Sequence, residues 1–244
     1  MKQYEAVIKV MEENGGFATL GYLYQNVLKV PGCEWETKTP FASIRRIVQD
    51  QRYFFKIKPG LWALNSYKDE VAIKFPIDEK SSKEEKAIFD HTYYQGLLVQ
   101  IGNLKDYDTY VPGQDKNRYF LDKPLGDYAK INKLYEFTYP TILNRAKTVD
   151  VIWFNDRKLP NSFFEVEHST DFKNSLLKFL ELQDFHSRFV IVADENRHSE
   201  YEQKLSLVAF AELKERIKFL SYEALATHHA NAVEYYGSRS TLQF

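Results

Sequence analysis

The sequence predicts an α/β (α+β) protein in two parts. A small helical part ends in a β-hairpin, and a larger part is built around a mixed sheet flanked by helices. Apolar residues recur at helical spacing through about the first 50 residues, and two apolar runs then flank Lys58-Pro59-Gly60. The second half instead alternates short apolar runs with amphipathic stretches, which is the pattern of strands and helices in one sheet.

The composition is that of a globular protein. Its 44% hydrophobic and 16% aromatic residues are too many for a disordered chain. The net charge is -1, so any nucleic-acid surface must be local. The single cysteine, Cys33, excludes a disulfide framework and a cysteine-based zinc finger. The sequence has no membrane-spanning apolar run and no signal or transit peptide, so we expect a cytoplasmic protein without a membrane partner.

Three helices and a hairpin are predicted in the N-terminal part. The first helix ends at Gly15-Gly16, and the second runs over about 19–28 with Thr19 as its N-cap. The third begins at Thr39-Pro40, because proline suits the first helical position. The hairpin follows at 54–64. Three helices followed by a hairpin are the layout of a winged helix-turn-helix domain.

Three sequence motifs accompany this layout. They are GGFAT at 15–19, WETKTP at 35–40 and FFKIKPGLWAL at 54–64. With these motifs residues 1–65 resemble the HARE-HTH winged-helix family, which occurs in eukaryotic chromatin proteins and fused to bacterial restriction endonucleases. The resemblance implies DNA binding and leaves open whether that binding depends on base modification.

The charge of the N-terminal part agrees with a double-stranded DNA partner. Residues 1–65 hold nine basic and six acidic side chains, and the excess lies at the third helix and the hairpin, where a winged helix meets DNA. The predicted DNA contacts are Lys38, Thr39, Ser43, Arg45 and Arg46, with Lys56 and Lys58 reaching phosphate from the hairpin. The nearby Trp35, Phe41, Ile44 and Trp62 are assigned to the core. A protein–protein use of the same domain is the alternative.

Residues 66–83 are polar and charged, and they are predicted as a linker that leads into a helix capped by Ser82. Residues 84–244 are predicted as a second domain. The elements predicted there are helices at 84–104, 126–136, 172–185 and 199–217, strands at 107–111, 148–154, 162–169 and 188–194, and a further strand after 217. The strand at 162–169 is expected to be antiparallel to the one at 148–154. His228-His229 are placed in a loop or tail.

Three carboxylates fall on two neighbouring predicted strands. Asp150 lies in TVDVIWF, and Glu165 and Glu167 share one face of SFFEVEHS. Carboxylates in apolar strands are costly to desolvate and repel one another unless a cation meets them. Oxygen ligands suit Mg²⁺, which stabilises the attack of water on a phosphodiester. We therefore expect Asp150 and Glu165 to bind Mg²⁺ and Glu167 to complete the catalytic set.

The same residues resemble the motif of the PD-(D/E)xK nuclease superfamily, in which an acid on one strand is followed by acid-x-lysine on the next. Asp150 falls at the first acid and Glu165 at the second, and the resemblance covers about residues 84–225. It implies a restriction-endonuclease-like fold. Glu167 stands where the motif has lysine. Some restriction enzymes of this superfamily carry the same E-x-E pattern, and another element can supply the cation from one of Lys147, Lys173 and Lys178.

The first functional hypothesis is a type II restriction-like deoxyribonuclease, a Mg²⁺-dependent DNA endonuclease of bacterial type. The sequence has neither a phosphate-binding loop nor a GxGxxG motif, so no nucleotide cofactor is expected. One active site cuts one strand, and double-strand cleavage therefore favours a homodimer. The alternative is a DNA-binding regulator or adaptor whose nuclease-like domain is inactive. A nuclease acting on RNA or branched DNA is a third, weaker hypothesis.

Overall fold

A computed structural model of the chain describes residues 1–77 and 81–239. It divides into two compact units. The N-terminal unit comprises Met1–Lys86 with the described residues from Ala226 onward, and the sheet unit comprises Ala87–Leu225. Residues 78–80 of the predicted linker and 240–244 of the predicted second domain lie outside the described residues. Within the described residues, no helix combines the length and the apolarity that crossing a membrane requires.

The N-terminal unit contains the predicted three helices followed by a β-hairpin. Its elements before the chain leaves the unit are α1 (Gln3–Glu13), β1 (Phe17–Thr19), α2 (Leu20–Asn26), α3 (Pro40–Ile47), β2 (Phe54–Lys58), β3 (Leu61–Leu64) and α4 (Lys68–Lys74). The strands form an antiparallel sheet in the order β1-β3-β2. The predicted N-cap is confirmed, because Oγ1 of Thr19 accepts a hydrogen bond from the backbone N–H of Tyr22 at 3.1 Å.

The glycine pair ends α1 as predicted. Gly16 has a φ of +87°, a left-handed conformation that glycine adopts without strain. A Cβ added at Gly16 would collide with the side chain of Tyr67. The reversal between α1 and β1 therefore requires glycine for two reasons, backbone conformation and close packing.

The segment predicted as a linker is partly helical. Helix α4 lies within it, and Val71 of this helix and Phe75 after it are buried. The ring of Phe75 meets Phe17 of β1 edge-on, with the centroids 4.9 Å apart. Two apolar anchors in a charged stretch are too few to give a helical pattern, and this is why the sequence suggested a linker. The predicted cap is present, since Ser82 Oγ accepts from Glu85 N–H at 3.1 Å.

The sheet unit is built on five strands. Its helices, with the last one continuing into the N-terminal unit, are α5 (Lys83–Leu104), α6 (Leu125–Tyr128), α7 (Pro140–Ala146), α8 (Phe172–Glu181), α9 (His198–Leu205) and α10 (Tyr222–Arg239). Its strands are β4 (Asp108–Tyr110), β5 (Tyr119–Phe120), β6 (Lys123–Pro124), β7 (Val151–Phe154), β8 (Pro160–Glu167), β9 (Arg188–Ala193) and β10 (Ile217–Ser221). The sheet order is β10-β9-β8-β7-β4, and β5 pairs with β6 separately.

Strand β8 is the centre of this mixed sheet. It runs antiparallel to β7, as predicted, and parallel to β9. On the face covered by α8, Phe163 of β8 stacks on Phe189 of β9, and Phe179 of α8 packs against Phe189. All three rings are fully buried, and burying each contributes about 2–3 kcal/mol. Helix α8 is thereby fixed over the β8 face that also carries Glu165 and Glu167.

Further predictions also differ from the structure. The helix predicted at 126–136 stops at Tyr128, because the chain after it turns to the edge strand β4, where Ile131 N–H donates to the Thr109 carbonyl at 3.1 Å. The helix predicted at 199–217 ends at Leu205, since Leu207 has extended backbone and a 3₁₀ turn follows it. His228-His229 lie in α10 and not in a loop or tail.

Candidate active site

Asp150 links two strands and a helix of the sheet unit. It immediately precedes β7, so the strand begins later than the predicted 148–154, and its side chain is buried. Its Oδ2 accepts a hydrogen bond from the backbone N–H of Val166 in β8 at 2.7 Å. Its Oδ1 lies 3.5 Å from Nε2 of His91 in α5. The carboxylate is thus held at a fixed position between β8 and α5.

Glu165 is paired with a lysine from helix α8. Both of its oxygens accept hydrogen bonds from Nζ of Lys178, at 3.0 and 2.8 Å, and Ser175 Oγ donates to it at 3.2 Å. Burial raises the pKa of Glu165 well above its usual value, the charge of Asp150 adds to this, and the ammonium opposes it. Burial alone would lower the pKa of Lys178, but the carboxylates of Glu165 and Asp150 outweigh this and raise it. Lys178 therefore remains an ammonium at neutral pH.

Glu167 shares a serine with Glu165. It accepts hydrogen bonds from the hydroxyls of Ser175 and Thr170. Burial raises its pKa, and these two hydroxyl donors oppose the rise. Because a serine hydroxyl carries one hydrogen, Ser175 donates to one of the two carboxylates at a time. The predicted shared face of Glu165 and Glu167 is therefore present, and Ser175 couples the two groups.

The structure distinguishes between the three lysines considered as the replacement for the motif lysine. Lys178 contacts Glu165, whereas Lys147 donates to Asn144 at 3.2 Å and Lys173 is exposed. Ser175 and Lys178 are three residues apart on α8, so they project from the same helix face. The position of α8 over the sheet could not be obtained from the sequence alone.

Sequence reasoning missed His91 and Asp115. Nε2 of His91 lies 3.5 Å from Asp150 Oδ1 and 3.9 Å from Asp115 Oδ2, and one ligand atom from each of the three residues falls within 4.8 Å of the others. Asp115 is buried and forms a 2.7 Å ion pair with Arg118. Burial alone would lower the pKa of His91, but the two aspartates outweigh this and raise it. His91 and Asp115 carry no local motif, so no sequence signal marked them.

The chemistry of this donor set fits a divalent cation. Two buried carboxylates and one imidazole converge from three different elements, and hard divalent ions bind carboxylate oxygens. Among the described residues, His91, Asp115 and Asp150 form the cluster in which three potential ligand atoms lie close enough together to bind one ion. The predicted metal ligands were Asp150 and Glu165. Of these, only Asp150 belongs to the cluster, and the ammonium of Lys178 contacts both oxygens of Glu165.

The candidate DNA contacts on α3 lie in the N-terminal unit. Lys38 and Thr39 are exposed just before the helix. Ser43 and Arg46 line a pocket of about 590 Å³. Arg45 is exposed, and its guanidinium donates to the hydroxyl of Tyr24 of α2 at 3.1 and 3.3 Å. The side chain of Arg45 is therefore fixed against helix α2.

The hairpin carries the remaining candidates. Lys56 is exposed and Lys58 is half-buried, and the register of β2 against β3 shifts between them. Ile44 is fully buried, as expected of a core residue. Trp62 is only half-buried and lines a second pocket of about 520 Å³ together with Lys56. The core assignment of Trp62 is thus only partly correct, because its side chain borders this surface pocket.

Carboxylates converging at the centre of a mixed five-stranded sheet with covering helices define an α+β, nuclease-like protein. A family model described as the C-terminal domain of the type II restriction enzyme NmeDI matches residues 74–235. Since this is well over half of the chain, the chain belongs to that family. The match contains the whole candidate site.

One relative is informative. The type II restriction enzyme NmeDI of Neisseria meningitidis serogroup C is 29% identical to this chain over 124 residues. The alignment covers 46% of this chain and 35% of the relative, so the chain spans about a third of the length of the curated protein that it matches. No solved structure gives a significant match.

Proposed function

We propose that the chain is a Mg²⁺-dependent DNA endonuclease of the restriction type. The observation that carries the proposal is the convergence of Asp150, Glu165 and Glu167 with the ammonium of Lys178 on the central strands of a protein of the NmeDI C-terminal domain family. Metal-assisted hydrolysis of a phosphodiester needs acidic ligands for a cation and a positive charge for the phosphate. This site supplies both.

Asp150 and Glu165 are the proposed metal ligands. The bound ion would neutralise charge on the phosphate during in-line attack and make water more acidic. Asp150 can serve without rearrangement of the backbone, because the Val166 N–H holds one oxygen and leaves the other directed towards His91. Glu165 has to share its oxygens with Lys178.

Lys178 and Glu167 are proposed to act on phosphate and water. The side chain of Lys178 is 20% exposed, so its ammonium can reach a bound phosphate while it keeps its contact with Glu165. Glu167 is proposed to orient the attacking water. Burial raises the pKa of Glu167, and this direction favours a carboxyl group that takes up a proton from the water.

The N-terminal unit is proposed to recognise the DNA site. The residues proposed to contact double-stranded DNA are Lys38, Thr39, Ser43, Arg45, Arg46, Lys56 and Lys58. This assignment is supported by the surface exposure of most of these residues. They lie around α3 and the hairpin, where a winged helix meets DNA. Cleavage of both strands would require two copies of the active site, as in a homodimer.

Incubating the purified chain with methylated and unmethylated plasmid, in Mg²⁺ or in EDTA, tests the proposal. We expect fragments in Mg²⁺ only. A difference between the two plasmids would identify base modification as part of recognition. Absence of fragments with both plasmids across a range of protein concentrations would contradict the nuclease assignment.

A DNA-binding adaptor remains the second candidate, and Glu167 in place of the motif lysine is the observation that favours it. A gel-shift assay on the same plasmid-derived fragments discriminates between the two. Binding without cleavage would favour the adaptor, whereas cleavage that follows binding would reject it. The proximity of Lys178 to Glu165 favours the nuclease, since it restores the missing positive charge.

A further inference from the structure

We propose that His91 and Asp115 complete, together with Asp150, a binding site for a divalent transition-metal ion, and that His91 makes the site prefer Mn²⁺ to Mg²⁺. The inference rests on the proposed function in placing a metal ion at Asp150. It goes beyond that function in naming two further ligands and the class of ion.

The distances match those between two ligands of one ion. His91 Nε2 lies 3.5 Å from Asp150 Oδ1 and 3.9 Å from Asp115 Oδ2. These separations exceed ordinary hydrogen-bond lengths of about 2.7–3.2 Å. Two atoms that are each about 2.1 Å from a common ion are at most about 4.2 Å apart. The two distances from His91 are therefore longer than those of short hydrogen bonds and lie within the span of two ligands of one ion.

Gln95 provides an independent observation at the same place. Its side chain is completely buried, and its Nε2 donates to Asp115 Oδ2 at 2.9 Å and to the Asp150 carbonyl at 3.2 Å. Its Oε1 has no hydrogen-bond partner within the described part of the chain. A buried amide oxygen without a donor is costly, and a hydrated cation carries O–H donors of the kind that this oxygen lacks.

The charges at the cluster also favour a bound cation. Asp115 and Asp150 are both buried, and Arg118 pairs with Asp115 through Oδ1 at 2.7 Å. Among the described residues, the basic group within 4 Å of Asp150 is the imidazole of His91, at 3.5 Å. Burying two carboxylates without compensating charge is unfavourable. An ion between Asp150 and His91 would offset the charge of Asp150 that Arg118 does not neutralise.

His91 determines the class of ion. Mg²⁺ takes oxygen ligands almost exclusively and keeps much of its water, whereas imidazole nitrogen suits first-row transition metals. Mn²⁺ accepts carboxylates as readily as Mg²⁺ does, and it lies at the weak end of the transition-metal series. Even Mn²⁺, the weakest binder of this series, should therefore bind a site with a histidine ligand more tightly than Mg²⁺ does.

Calorimetric titration of the full chain with MnCl₂ and MgCl₂ tests the inference. We expect Mn²⁺ to bind the unmodified chain at least about tenfold more tightly than Mg²⁺ does. His91→Gln should weaken Mn²⁺ binding by about tenfold and change Mg²⁺ binding by less than about threefold. The matched control is His198→Gln, which replaces an exposed histidine on α9 and should leave both affinities unchanged.

Asp115→Asn is the second variant, and it should weaken the binding of both ions. Circular dichroism melting of each variant identifies any loss of folding. Equal Mn²⁺ affinity in His91→Gln, Asp115→Asn and the unmodified chain would overturn the inference, even if the chain cuts DNA. Conversely, a chain that shows the expected Mn²⁺ pattern but never cleaves DNA would retain this site and lose the proposed nuclease function.

Discussion

At the scale of single residues, the chemistry depends on how α8 meets β8. Ser175 contacts both Glu165 and Glu167, and Lys178 reaches Glu165 from the next turn of the helix. We propose that Lys178, on the helix that follows, supplies the ammonium that the PD-(D/E)xK motif places two residues after its second acid. An E-x-E strand can therefore have a positive charge beside its carboxylates.

Replacing Lys178 with methionine tests whether its positive charge is needed beside Glu165. The variant keeps most of the side-chain length and removes the charge, so we expect the cleavage rate to fall by about 100-fold or more, as when one electrostatic donor is removed from an active site. The measurement is the single-turnover rate on plasmid DNA, with DNA affinity determined separately.

Lys173→Met is the control for Lys178→Met, because Lys173 is exposed on the same helix. We expect its rate to remain that of the unmodified chain. Equal rates for the two methionine variants would exclude a catalytic role for the Lys178 charge.

At the scale of elements, α10 returns the chain to the N-terminal unit. His229 of α10 is buried, and a Cβ at Gly21 of α2 would lie 2.7 Å from its Cε1, so the two helices approach closely. Burial lowers the pKa of His229 to about 4, and the neighbouring His228 adds to this. Polar residues around His228-His229 resemble a surface tail in sequence, and only the packing against α2 explains the buried histidine.

This buried histidine predicts a pH dependence of stability. Unfolding returns the pKa of His229 from about 4 to its ordinary value near 6.5, so between these pH values the unfolded chain binds more protons than the folded one. The free energy of unfolding therefore falls as the pH drops through this window. The full effect is on the order of 3 kcal/mol. Urea denaturation at pH 7 and pH 5, followed on the N-terminal unit, should detect about 2 kcal/mol of this effect.

His229→Gln should flatten this pH dependence, whatever it does to stability at pH 7. His228→Gln changes the exposed neighbour and should keep most of the slope. A slope between pH 7 and pH 5 that survives His229→Gln unchanged would show that another group is responsible.

The third helix is the element on which DNA recognition is proposed to depend. Arg46 is exposed on α3 beside Ser43. If Arg46 contacts a phosphate, Arg46→Ala should weaken DNA binding several-fold and reduce the slope of log affinity against log salt by about 1. Fluorescence anisotropy at several salt concentrations measures both quantities.

Arg52→Ala is the matched control for Arg46→Ala. Arg52 is also exposed, but Asp50 holds its guanidinium with a 2.6 Å ion pair. We expect this variant to leave both the affinity and the salt slope nearly unchanged. The same loss in both variants would indicate a general effect of net charge and no specific contact by α3.

At the scale of the whole molecule, the predictable features were local. Strands β7, β8 and β9 follow from their apolar runs, and the N-terminal helices and hairpin follow from glycine, proline and cap signals. Asp150, Glu165 and Glu167 were visible because strand alternation is a two-residue pattern. His91, Asp115 and Lys178 were missed or left undecided, since two helices and a loop bring them to the strands only in the folded chain.

The most direct measurement is plasmid cleavage by Asp150→Asn beside Asp156→Asn. Asp156 is exposed in the turn between β7 and β8, and it serves as the control for removing one negative charge. We expect Mg²⁺-dependent fragments from the unmodified chain and from Asp156→Asn, and none from Asp150→Asn, which should still bind DNA. Cleavage by Asp150→Asn at the rate of the unmodified chain would contradict the assignment of this site.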